Sequence, residues 1–147
     1  MRDAVGGSFM IKLLLVFLAV YVIFIAIAIN YAKAFKVKNK ILDIIEQNEG
    51  IGAYENTSDP AMIQIEDYLK TIYYGVNTSS VANKCSSYEY IDETRGYCIT
   101  EIKNNDYEAP ASYYKVTTFV TIDIPLVNLS FTVPIRGETR RIEEITT

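Results

Sequence analysis

The chain has 147 residues, half of them apolar, and a formal charge of −4, enough for one small folded unit beside a long apolar segment. It contains no histidine and two cysteines, which removes the commonest general base and leaves zinc without a ligand set. Residues 1–50 carry six basic and four acidic side chains and residues 51–147 carry eight and fourteen, so the C-terminal part is acidic and offers no electrostatic footprint for nucleic acid.

The first element is a run of 17 uncharged, apolar residues from Leu13 to Ile29, inside a nearly all-apolar segment, Phe9–Ala32. A helix rises about 1.5 Å per residue and the hydrocarbon core is about 30 Å thick, so this segment is long enough to span a bilayer. A cleaved secretory signal, with Ala26-Ile27-Ala28 as the cleavage site, is the main competing reading, and a buried soluble helix is the third. Signal cores are shorter, about 7–15 residues, and no polar or Pro/Gly break precedes this Ala-x-Ala. The sequence therefore predicts an uncleaved anchor in contact with membrane lipid.

Lys33, Lys36, Lys38 and Lys40 follow the span, whereas Arg2 and Lys12 precede it. Counted literally, that asymmetry places the C-terminal part in the cytoplasm, although a folded unit of this size is exported regardless of flanking charge. Cys85 and Cys98 point outward. They flank a Ser/Tyr/Gly-rich, turn-like segment, and a disulfide across it suits an oxidising compartment. Two unrelated buried thiols are the alternative. We expect a single-pass protein of the cell membrane with its C-terminal domain outside the cytoplasm.

Beyond the span the helical pattern continues. Val37, Ile41 and Ile45 recur every four residues, with Leu42 and Ile44 beside them, and form a helix-packing stripe on a projecting stalk. Gly50 and Gly52 end this helix. Asp59 and Pro60 read as N-cap and first position of a second helix, with Met62, Ile63, Ile65, Leu69, Ile72 and Tyr73 on its apolar face and Gly75 as its stop. From Tyr88 the period changes to two. Tyr88–Ile91 and Tyr97–Ile102 read as a hairpin, Tyr113–Ile124 as the strongest strand, and Leu129–Ile135 as its return strand. Pro134 marks that last strand as an edge or as carrying a bulge, and residues 136–141 read as a charged exit.

The predicted fold class is α+β: a long N-terminal transmembrane-plus-amphipathic helix, then a small antiparallel β-sheet head with one additional helix. The expected organisation is a short segment 1–8, a transmembrane helix 9–32, an amphipathic stalk 33–49 and an extracytoplasmic head 51–147 that folds alone. Its only predicted covalent link is Cys85–Cys98.

No catalytic or metal-binding constellation emerges, and no cofactor is expected. Glu66-Asp67, Asp92-Glu93 and Glu143-Glu144 are adjacent carboxylates that point apart on helix or strand. Asn104-Asn105-Asp106 with Glu108 lacks the glycine and ligand spacing of a calcium loop. Gly6-Gly7-Ser8 is too short for a phosphate cradle. Ten of the twelve tyrosines follow residue 50, and they suit either a contact surface or half-buried strand positions. Glycosylation sequons occur at Asn56, Asn77 and Asn128.

Gly6-Gly7-Ser8-Phe9-Met10 before the span, residues 34–41 after it, and the strand pair 114–119 and 133–139 give the chain a pilin-like plan. It resembles a TadE-like minor pseudopilin of the tight-adherence pilus systems. The resemblance implies a non-enzymatic subunit, held in the membrane and working with other pilin or pseudopilin subunits or pilus assembly proteins in a surface pilus or secretion filament. It also implies peptidase processing between Gly7 and Ser8. The family's glutamate five residues into the mature helix is replaced here by Lys12, or by Ile11 if counting starts at Gly7. A single-pass extracytoplasmic ligand-binding or sensor-accessory protein is the alternative from another class.

Overall fold

The computed structural model describes residues 2–52, 59–75, 85, 90–92, 96–104, 111–124 and 129–143. Tyr88, residues 93–95 and 125–128, the three sequon asparagines and residues 105–108 lie outside the described residues. The fold is α+β. Helix α1 (Arg2–Gln47) is followed by α2 (Pro60–Thr71) and by β1 (Tyr90–Asp92), β2 (Tyr97–Asn104), β3 (Ala111–Ile124), β4 (Leu129–Glu138) and β5 (Ile142–Glu143). The strands form one antiparallel sheet in the order β1-β2-β3-β4, with β5 pairing the start of β3.

α1 is a single 46-residue helix, about 69 Å long. Its C-terminal end is closed by Glu49, not by a glycine. Glu49 adopts φ 55°, Gly50 follows at φ 121°, and the Gly50 amide donates to the Ile45 carbonyl at 2.9 Å. The αL cap satisfies carbonyls that the helix end would otherwise orphan. Tyr114 Oη would lie 2.9 Å from a Cβ on Gly50, so a side chain there meets both strain and contact.

α2 begins as the sequence indicates. Asp59 Oδ1 accepts from the amides of Ala61 at 2.8 Å and Met62 at 3.3 Å, while its other oxygen accepts from Gly52 at 2.5 Å. One carboxylate thus caps the helix and ties down the chain leaving α1. The helix stops earlier than Gly75. Tyr73 takes φ 48° at the cap, with the Tyr74 amide donating to the Leu69 carbonyl at 3.1 Å. A tyrosine fills the role that sequence logic gives to glycine, because the fold needs the next residue, Tyr74, turned inward.

β3 is the central strand. β2 flanks it from Tyr97↔Thr118 to Asn104↔Ala111, and β4 flanks its other edge from Lys115↔Glu138 to Ile124↔Leu129. Pro134, opposite Phe119, lies on edge strand β4, where its missing N–H costs no ladder bond. Residues 136–138, read from sequence as a charged exit, continue β4, because alternation lets the charged side chains leave the sheet while the backbone stays paired.

One sheet face carries Ile99, Val116, Val120, Ile122 and Ile135, all buried. Val37, Ile41, Ile44 and Ile45 of α1 pack onto this face, and Ala61, Ile65 and Leu69 of α2, which lies against α1, complete the same core. Cys85, Cys98 and Phe119 form a second, smaller cluster, and the two sulfurs are joined as a disulfide with Cα atoms 6.0 Å apart. The second half of α1 is therefore part of the head's core. The stalk does not project free, and the boundary of the folded unit falls inside the helix.

Candidate functional site: the anchor and its junction with the head

α1 changes environment along its length. Residues 7–33 are exposed apart from Ile23 and Ile27, which are half-buried. Phe9, Leu14, Phe17, Val20 and Phe24 all show more than half of their surface, an exposed apolar face of the kind that marks a membrane or protein contact. α1 is long and apolar enough to cross a membrane, and the most apolar stretch within it is wholly unburied by the rest of the chain. From residue 7 onward the first fully buried residue is Ala34, and from there Val37, Ile41, Ile44 and Ile45 face the sheet.

A set of polar contacts fixes this transition. Thr118 Oγ1 donates to the Ala34 carbonyl at 3.2 Å, which sets β3 against α1. Tyr74 Oη donates to the Phe119 carbonyl at 2.6 Å. Burial of its ring pushes the Tyr74 hydroxyl up to about 12, so it acts as a donor throughout the neutral range. Lys33 Nζ donates to the Tyr73 carbonyl at 3.4 Å, joining the α2 cap to the start of the buried helix. A small cleft of about 90 Å³ lies between Asn30, Lys33, Tyr74 and Thr121.

The far end of the head is tied by different residues. Tyr114 Oη accepts from the Ile51 amide at 3.1 Å and lies 3.3 Å from a Glu101 carboxylate oxygen. Burial pushes its hydroxyl up as well, the nearby Glu101 charge adding to the effect. Glu46 Oε1 accepts from the Arg140 amide at 2.8 Å. Lys38 is only 9 % exposed, and its ammonium lies 4.4 Å from the Phe35 ring centroid. Its Cδ and Leu42 Cδ1 would stand within 3 Å of a Cβ on Gly137, which is how β4 approaches α1 closely.

The residues singled out from the sequence now have places. Val37, Ile41, Ile44 and Ile45 are buried and Leu42 is half-buried, so this stripe is occupied by the chain's own sheet. Gly7 and Ser8 are exposed within α1, and nothing lies within 4 Å of a Cβ on Gly7. Tyr74, Tyr97 and Tyr114 serve as core, whereas Tyr73 is 91 % exposed. Glu66 pairs with exposed Lys70 at 3.3 Å, a surface contact of little energetic weight. Among the described residues, no group of three His, Cys, Asp or Glu side chains is placed to hold a metal. Sequence reasoning missed Thr118, whose hydroxyl sits in an otherwise apolar alternation. That break in the pattern was the available signal.

Compared with protein-family models, curated proteins and solved structures, the chain gives no match.

Proposed function

We propose that this chain is a single-pass, non-enzymatic membrane subunit of pilin or pseudopilin type, with its head outside the cytoplasm, acting in the assembly or body of a surface filament. The observation that carries the reading is the behaviour of α1, one unbroken helix that is apolar and mostly exposed from Phe9 to Ala32 and core-forming from Ala34. Such a rod is stable in lipid, and it is equally stable packed against like rods, since a helix satisfies its own backbone in either setting. The Cys85–Cys98 disulfide supports an oxidising compartment for the head. Lys12 lies near the start of the apolar run, where its long stem can snorkel to the near interface.

The test is site-specific photo-crosslinking from Phe17 in the native membrane, with the sheared surface fraction analysed in parallel. Adducts to like subunits or to assembly proteins in the membrane, and recovery of the chain with surface filaments, are expected. A chain that forms no protein adducts and never leaves the membrane fraction would overturn the filament role. Protease added outside intact cells must remove the head; full protection would overturn its export.

A further inference from the structure

We propose that the Ile122/Phe131 end of the β3–β4 pair is a second lipid contact, seated in the headgroup layer beside α1. The inference rests on the anchor reading above. The hydrogen bond from Thr118 to Ala34 sets the level of β3 on the helix just past Lys33, the first charge after the span. β3 continues from there to Ile124, and at about 3.3 Å per residue those six residues extend up to about 20 Å toward the membrane. Ile122 is buried and paired with Phe131, about 13 Å beyond Thr118 along the strand. The crossing of strand and helix shortens the projection along α1.

The helix records the same approach. Within residues 7–33, Ile23 and Ile27 are the two that are half-buried, and Ile27 packs against the core that contains Ile122. Ile27 belongs to the uncharged run that ends at Ile29. The end of the sheet therefore reaches alongside helix residues that the anchor reading assigns to lipid. Phe131 is 40 % exposed there, and from Ile122 to Val133 the sequence carries one charge, Asp123.

The surrounding chemistry fits an interface. Tyr73, 91 % exposed on its left-handed cap, and Tyr31 present amphipathic rings near the level of Lys33. Tyrosines with a lysine mark the headgroup zone of membrane proteins. Depth is limited by the backbone. β4 is an edge strand, and unpaired N–H and C=O groups are not accepted in hydrocarbon, so the end rests in the hydrated headgroup layer, where the exposed Phe131 ring meets lipid.

The experiment uses the full chain in phosphatidylcholine–phosphatidylglycerol vesicles, labelled with an environment-sensitive fluorophore at one introduced cysteine and challenged with lipids carrying quenchers at shallow or deep positions. Leu18→Cys reports the anchor, Phe131→Cys the sheet end, and Arg140→Cys the far end of the head. Ser130→Cys replaces Phe131→Cys if that variant misfolds. The expected result is a blue shift at Phe131→Cys with more quenching by shallow than by deep lipids, deep quenching at Leu18→Cys and none at Arg140→Cys. Quenching at Leu18→Cys alone overturns the second contact and leaves the anchor standing. Quenching at Arg140→Cys also overturns it, since the head would then lie flat. No quenching anywhere overturns the anchor reading itself.

Discussion

Thr118 and Ala34, 84 residues apart in sequence, meet through a 3.2 Å hydrogen bond from the threonine hydroxyl to the helix carbonyl. The bond lies where α1 stops being bare and starts being core, so one side chain aligns the sheet with the helix. Thr118→Val keeps the shape and removes the hydroxyl; it should lower stability by about 1 kcal/mol, the net contribution of one buried hydrogen bond. A denaturation series on the detergent-solubilised protein reads this directly, and an unchanged midpoint would remove the alignment role.

The second half of α1 belongs to the head's core. Ile41→Ala should cost about 2–5 kcal/mol, because Ile41 is fully buried against the sheet. By the same argument, a fragment of residues 51–147 should fail to fold, while one of residues 30–147 should fold and give a dispersed NMR spectrum. A folded 51–147 fragment would show that the helix is dispensable to the core.

Cys85 and Cys98 are 13 residues apart, and closing that loop should contribute about 3 kcal/mol in the chain-entropy account. Melting of the protein with and without reductant, and of the Cys85→Ala/Cys98→Ala variant, measures it. The reduced protein and the double variant should melt at similar, lower temperatures, and identical melting in all three states would dismiss the contribution.

Tyr74 sets an alkaline limit. Its hydroxyl titrates near 12 in the folded protein against an ordinary value near 10, so the unfolded chain loses this proton first. The contribution is complete below about pH 10 and falls as pH rises through the folded value. Tyr74→Phe should therefore be less stable than wild type at neutral pH, by about 1 kcal/mol for the lost hydrogen bond, and less sensitive between pH 10 and 12. Parallel slopes for the two proteins in that range would contradict the assignment. Tyr114, raised in the same direction, leaves a residual slope in the variant.

The elements themselves were legible in the sequence because their signals are local. The uncharged run, the Asp59-Pro60 start of α2, and the alternation from Tyr113 to Ile124 each encode one element without reference to the rest. The helix ends were misjudged where tertiary contacts override propensity: Glu49 and Tyr73 take left-handed conformations that glycine would adopt more easily. β5 and the last residues of β4 were hidden, because Arg136 to Glu138 reads as solvent-facing charge whether or not its backbone is paired. The Val37–Ile45 stripe was visible as a packing face, but its partner was not. A single helix carries no information on whether its apolar stripe meets its own sheet or another molecule, and the junction around Ala34 depends on that choice.

Because α1 is uninterrupted from Arg2 to Gln47, it has no joint between its bare and buried halves. It behaves as a lever about 69 Å long, and leaning it by about 10° swings its far end through about 12 Å. A tilt imposed on the exposed half is thus delivered to the top of the head as a lateral sweep.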